Sequence, residues 1–102
     1  MKRANKYTIS DVDEILMNLS GNNLIFTKHS FKREQSRNID EDYIKKAILY
    51  EDPLDIEQVK TNEFKLFYPS QNHQNKELVI VIAIDKSKSV IIQSMWESKR
   101  YK

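Results

Sequence analysis

Leu78-Val79-Ile80-Val81-Ile82-Ala83-Ile84 is apolar at every position, with charged or polar residues on both sides. A strand with one wet face would alternate apolar and polar side chains. An unbroken run of this length, rich in β-branched residues, therefore predicts an inner strand covered on both faces, with Ile80 and Ile82 on one face and Val79 and Val81 on the other. An inner strand needs neighbours. The segments Leu54–Lys60 and Phe64–Tyr68 before it, and Val90–Trp96 after an Asp85–Ser89 turn, have the composition to supply them as an antiparallel meander.

The first half of the chain reads differently. Val12, Ile15, Leu16 and Leu19 recur at helical spacing behind Ser10, a good N-cap residue, and Gly21 stands where a helix would end, which predicts a helix over Ser10–Ser20. A short strand, Asn23–Thr27, follows. Ser30–Ser36 has helical composition, and a further helix begins with Asp40 as N-cap, turns Tyr43, Ile44, Ala47 and Ile48 to one side, and stops at Asp52-Pro53. Pro69–Lys76, which carries His73, reads as a polar loop. The expected fold is α+β, with helices packed on one face of a twisted, mainly antiparallel four-stranded sheet.

With 102 residues the chain is expected to form a single domain, residues 1–102, large enough to bury about 65% of its extended surface without a staple. It has no cysteine, which excludes disulfides, thiolate metal sites and a cysteine nucleophile. His29 and His73 show no metal-ligand spacing, so no metal is expected, and a single glycine excludes the glycine-rich phosphate loops of nucleotide-binding folds. No cofactor is expected. No run approaches the ~20 apolar residues of a membrane span, and a cytoplasmic location is the expectation.

The charge is small in sum, +2, and uneven along the chain. Lys28, Lys32, Arg33 and Arg37 stand against the single acid Glu34, and Lys86–Lys102 carries five cations against Glu97. Residues 40–63 are acidic. If the two basic segments meet in the fold, they form a face suited to phosphate; otherwise they are two solvated stretches.

The densest chemistry is Thr27-Lys28-His29-Ser30-Phe31-Lys32-Arg33-Glu34-Gln35-Ser36-Arg37-Asn38-Ile39. On a helix, His29, Arg33 and Arg37 follow one another at four-residue intervals along one stripe. Guanidinium groups bind phosphate oxygens bidentately, and an imidazole titrates near neutrality, so the stripe combines phosphate binding with proton transfer. The same residues also suit a structural role, with His29 capping a strand end and the arginines pairing with the acidic stretch that follows.

Ile25-Phe26-Thr27-Lys28-His29, then Arg33, then Arg37-Asn38-Ile39-Asp40, resembles the signature of a family of uncharacterised domains that is similar to the BrnT toxins of the RelE/ParE-like superfamily. The resemblance spans Leu24 to Trp96. Two positions depart from it: Asn38 replaces a glycine, and Ser94-Met95-Trp96 stands where the BrnT-like strand ends in Ser-Ala-Arg. It implies a RelE-like fold, a core over residues 23–96 preceded by a helical extension (1–22) and followed by a basic tail (97–102), and cleavage of messenger RNA without a metal. It further implies His29, Arg33 and Arg37 as catalytic residues and an antitoxin protein as partner. Lys28, Lys32, Trp96, Lys99 and Arg100 are added as RNA-binding candidates from charge and aromatic character alone.

Three functions remain open on these residues. One is a metal-independent endoribonuclease of a toxin–antitoxin pair. The second is a non-catalytic module that binds nucleic acid or protein through the same basic face. The third is a structural homodimer that pairs through the apolar stripe of its first helix.

Overall fold

The computed structural model describes residues 7–19, 23–27, 40–71 and 74–99. In chain order the elements are α1 (Ile9–Met17), β1 (Leu24–Phe26), α2 (Glu41–Tyr50), β2 (Asp55–Lys60), β3 (Glu63–Pro69), β4 (Lys76–Ile84) and β5 (Val90–Lys99). The apolar run is the middle strand of a five-stranded sheet ordered β1-β5-β4-β3-β2. β2, β3, β4 and β5 form the expected antiparallel meander. The four-stranded expectation is corrected by β1, which joins β5 in parallel and sets Leu24 beside Val90 and Phe26 beside Ile92. The sheet is mixed. Three apolar residues with no hairpin to hold them find a distant partner along the open edge of β5, and nothing in so short a strand fixes its direction beforehand.

Both helices lie on one face of this sheet. Val12 and Leu16 of α1, and Ile44, Ala47 and Ile48 of α2, form one buried cluster with Phe64, Leu66, Ile80, Ile82, Ile92 and Met95. The apolar stripe of α1 is thus buried within the chain itself, with Ile9 and Met17 left exposed. On β4, Ile80 and Ile82 point into this core, whereas Val79 and Val81 point to the opposite face, as their alternation demands. That second face carries Phe67, Val79 and Ala83, and Val79 retains only 3% exposure. Residues 30–36, expected as a helix, and Gly21 lie outside the described residues.

Helix α1 starts two residues earlier than Ser10 predicts. Thr8 is the N-cap: its hydroxyl accepts from the Asp11 amide, and the Asp11 carboxylate accepts from the Thr8 amide, a reciprocal capping box that Ser10 cannot form. The helix closes at Asn18, whose own amide reaches the last turn. Helix α2 begins where expected, with the Asp40 carboxylate accepting from the Tyr43 amide at 2.9 Å.

Tyr68 is the exception inside the core. It is fully buried beneath α2, and among the described residues its hydroxyl has no hydrogen-bond partner. Burial pushes the phenol well above its ordinary pKa, and the carboxylates of Glu51 and Asp52 push it further in the same direction. A buried hydroxyl without a partner costs about 1–3 kcal/mol in desolvation, so Tyr68→Phe should leave the fold as stable or raise its stability by about 1 kcal/mol. The midpoint of a urea melt reads this directly; a loss above about 0.5 kcal/mol would mean that the hydroxyl is satisfied after all.

The β4–β5 turn is tied by Asp85. Its carboxylate accepts from the Ser87 and Ser89 amides and the Ser87 hydroxyl, and these bonds, led by that from Ser89, hold its pKa below the ordinary carboxylate value. The Lys88 amide donates to the Asp85 carbonyl at 2.9 Å, and Lys88 itself sits in the left-handed region at φ 65°. Hairpins of this length favour glycine there, because a Cβ in that region costs roughly 1–2 kcal/mol. Lys88→Gly should therefore stabilise the chain by about 0.5–1 kcal/mol once glycine's extra unfolded-state entropy is subtracted, seen as a higher melting temperature. An unchanged or lower midpoint would show that the turn is not strained.

Candidate functional site

A β-bulge in β5 decides what the site contains. Val81 pairs with Ser94, but the next residue of β4, Ile82, pairs with Ile92, which leaves Gln93 as the extra residue. Regular alternation from Ile92 would turn Trp96 into the core and Glu97 away from it. The bulge reverses this, burying Met95, turning Trp96 to the face opposite the helices, and turning Glu97 toward α2.

On the helix side Glu97 meets Tyr43 and Ser70. The Tyr43 hydroxyl donates toward Glu97 Oε2 at 3.2 Å and accepts from the Gln71 amide at 2.7 Å, and the Ser70 hydroxyl donates to the same carboxylate oxygen. Burial raises the Tyr43 pKa, only partly opposed by the bonds to Ser70 and Gln71, so the phenol remains a neutral donor at physiological pH. This network joins α2, the end of β3 and the end of β5. Sequence reasoning missed it because its members are far apart in the chain, and only the bulge brings Glu97 to the helix side.

On the opposite face, Lys65 Nζ lies 5.8 Å from the centre of the Trp96 ring, a cation–π contact at a half-buried tryptophan. Lys65 is isolated among apolar neighbours in β3, so no charge run pointed to it. Lys99 stands at the end of β5 directly opposite Lys76. It is three residues past Trp96, hence on the other face of the sheet, so these two RNA-binding candidates do not share one surface. Nor do the basic residues of Lys86–Lys102 form one cluster: Lys86 and Lys88 lie at the β4–β5 turn, and Lys99 lies at the far end of a nine-residue pairing with β4, roughly 30 Å away.

Lys28, His29, Lys32, Arg33, Arg37 and Arg100 lie outside the described residues, as does His73. The positions that bracket the basic segment are both fixed on β5: the Thr27 hydroxyl donates to the Ile92 carbonyl, and α2, which begins just after Asp40, rests on Glu97 through Tyr43. Among the described residues no helix is long and apolar enough to cross a membrane.

The described residues thus form an α+β domain with α1 and α2 on one face of a mixed sheet, Glu97 and Lys99 of the last strand on the helix side and Trp96 on the other. The chain belongs to the family described as a domain of unknown function, DUF4258, whose model matches residues 26–96 and so includes His29, Arg33 and Arg37. No curated protein and no solved structure matches it.

Proposed function

We propose that this chain is a RelE/BrnT-like, metal-independent endoribonuclease, held in check by an antitoxin protein in the cytoplasm. The observation that carries the reading is the His29-x3-Arg33-x3-Arg37 spacing within the matched segment, whose two flanks are fixed to β5 at Ile92 and Glu97. His29 takes the proton of an RNA 2′-hydroxyl, which attacks the adjacent phosphorus. Arg33 and Arg37 stabilise the charge of the pentacoordinate phosphorane, and the 5′-oxygen leaves as it takes a proton from water, giving a 2′,3′-cyclic phosphate and a 5′-hydroxyl end. RNA has the nucleophile built in, so the protein needs to supply only proton transfer and charge stabilisation.

Induced expression of the wild-type chain and of His29→Ala in a bacterial host tests this, with growth and RNA integrity followed together. Growth arrest with fragmented RNA in the wild type alone is the expected result. Intact RNA in both strains rejects the nuclease and leaves the second reading, a non-catalytic nucleic-acid module. One observation favours that alternative: the Trp96–Lys65 pair on the face away from the helices, an aromatic ring beside a cation on which a base can stack.

A further inference from the structure

A cleft of about 440 Å³ lies far from this strand end, between α1 and the β4–β5 turn. Its walls are chemically unlike. Asp11 and Glu14 on α1 give one wall two carboxylates, Lys88 on the turn gives the other an ammonium, and Ile15 and Leu19 form an apolar strip on the α1 side. Asp11 uses one carboxylate oxygen on the Thr8 amide. Among the described residues no ion pair joins Lys88 to either acid. Carboxylates from α1 and an ammonium from the turn therefore line one cleft of small-molecule size.

We propose that this cleft binds a small zwitterion, a free amino acid with an aliphatic side chain. Its ammonium group sits against Glu14 and the remaining oxygen of Asp11, its carboxylate against Lys88, and its side chain on Ile15 and Leu19. A ligand of single charge would meet its own sign on one wall, which is why the class is a zwitterion. The inference is independent of the ribonuclease reading, since it uses none of the same residues.

The test uses the full chain, labelled with ¹⁵N, titrated with L-leucine to about 10 mM at constant ionic strength. Saturable shifts are expected at the amides of Glu14, Leu19, Ser87 and Lys88, with half-saturation near or below about 1 mM, as suits so small a ligand. Two analogues separate the charges: 4-methylpentanoate lacks the amine and 3-methylbutylamine lacks the carboxylate, and each should bind at least about tenfold more weakly. Lys88→Gly should weaken leucine by a similar factor without lowering the melting temperature, which separates lost recognition from lost fold. Absence of saturable shifts, equal binding by either analogue, or undiminished binding by Lys88→Gly would each overturn the proposal.

Discussion

Ile82→Ala should cost about 2–5 kcal/mol, in the upper part of that range. The substitution deletes three carbons from a fully buried side chain, worth about 2.4 kcal/mol in transfer alone at about 0.8 kcal/mol per methylene. The cavity adds to this. Ile82 is flanked by Phe64 on β3 and Ile92 on β5, both fully buried themselves, and strands paired on both sides leave little freedom to collapse into the gap. A domain of this size has roughly 5–15 kcal/mol of total stability, so the variant would be close to unfolding at physiological temperature. Val81→Ala, on the opposite and partly exposed face, should cost less than half as much. Urea melts with unchanged slope measure both, and a loss for Ile82→Ala below about 0.5 kcal/mol would contradict its place in the core.

That prediction could be written from the sequence because seven consecutive apolar residues mark an inner strand, and the pairing confirms the alternation on β4, although the face carrying Val81 is only partly covered. Helix α2 was equally legible, since Asp40 and the spacing of Ile44, Ala47 and Ile48 agree on one start and one face. Helix α1 was misplaced at its ends because Thr8 and Ser10 can both cap, and only the reciprocal bond with Asp11 decides between them. The parallel position of β1 was not legible, as Leu24-Ile25-Phe26 is too short to specify a partner. Neither was the bulge at Gln93, where no glycine marks the irregularity, and with it went the faces of Trp96 and Glu97. The spread of the Lys86–Lys102 cations was not legible either. Lys86 and Lys99 are close in sequence, yet the extended strand β5 carries them to opposite ends of the sheet, roughly 30 Å apart.

If the chain is the ribonuclease proposed above, His29→Gln and Arg33→Ala should each lower RNA cleavage by about 10²-fold or more, the usual worth of a positioned proton-transfer group or an oxyanion donor. A factor of 10² corresponds to about 2.7 kcal/mol of transition-state stabilisation, so the effect is as large as a core truncation but appears in rate instead of in folding. The melting temperature should stay within a few degrees of wild type, and excess EDTA should leave the wild-type rate unchanged, as the proposed metal-independent reaction requires. The products should end in 2′,3′-cyclic phosphate. Cleavage that falls only in step with the unfolded fraction, or that EDTA abolishes, would contradict the roles assigned to His29 and Arg33.

The parallel seam between β1 and β5 also bears on how the chain is made. Leu24 pairs with Val90, so during synthesis at about 5–20 residues per second the first strand leaves the ribosome roughly 3–13 seconds before its partner exists. In that interval β2, β3 and β4 can already zip into a hairpin series, while the outer edge of β4 carries Leu78–Ile84 bare, without a charge or a proline to deter another strand. A chain truncated between Ile84 and Val90 would therefore expose an edge prone to pair with its own copies, an edge that the ten-residue strand β5 covers in the folded sheet.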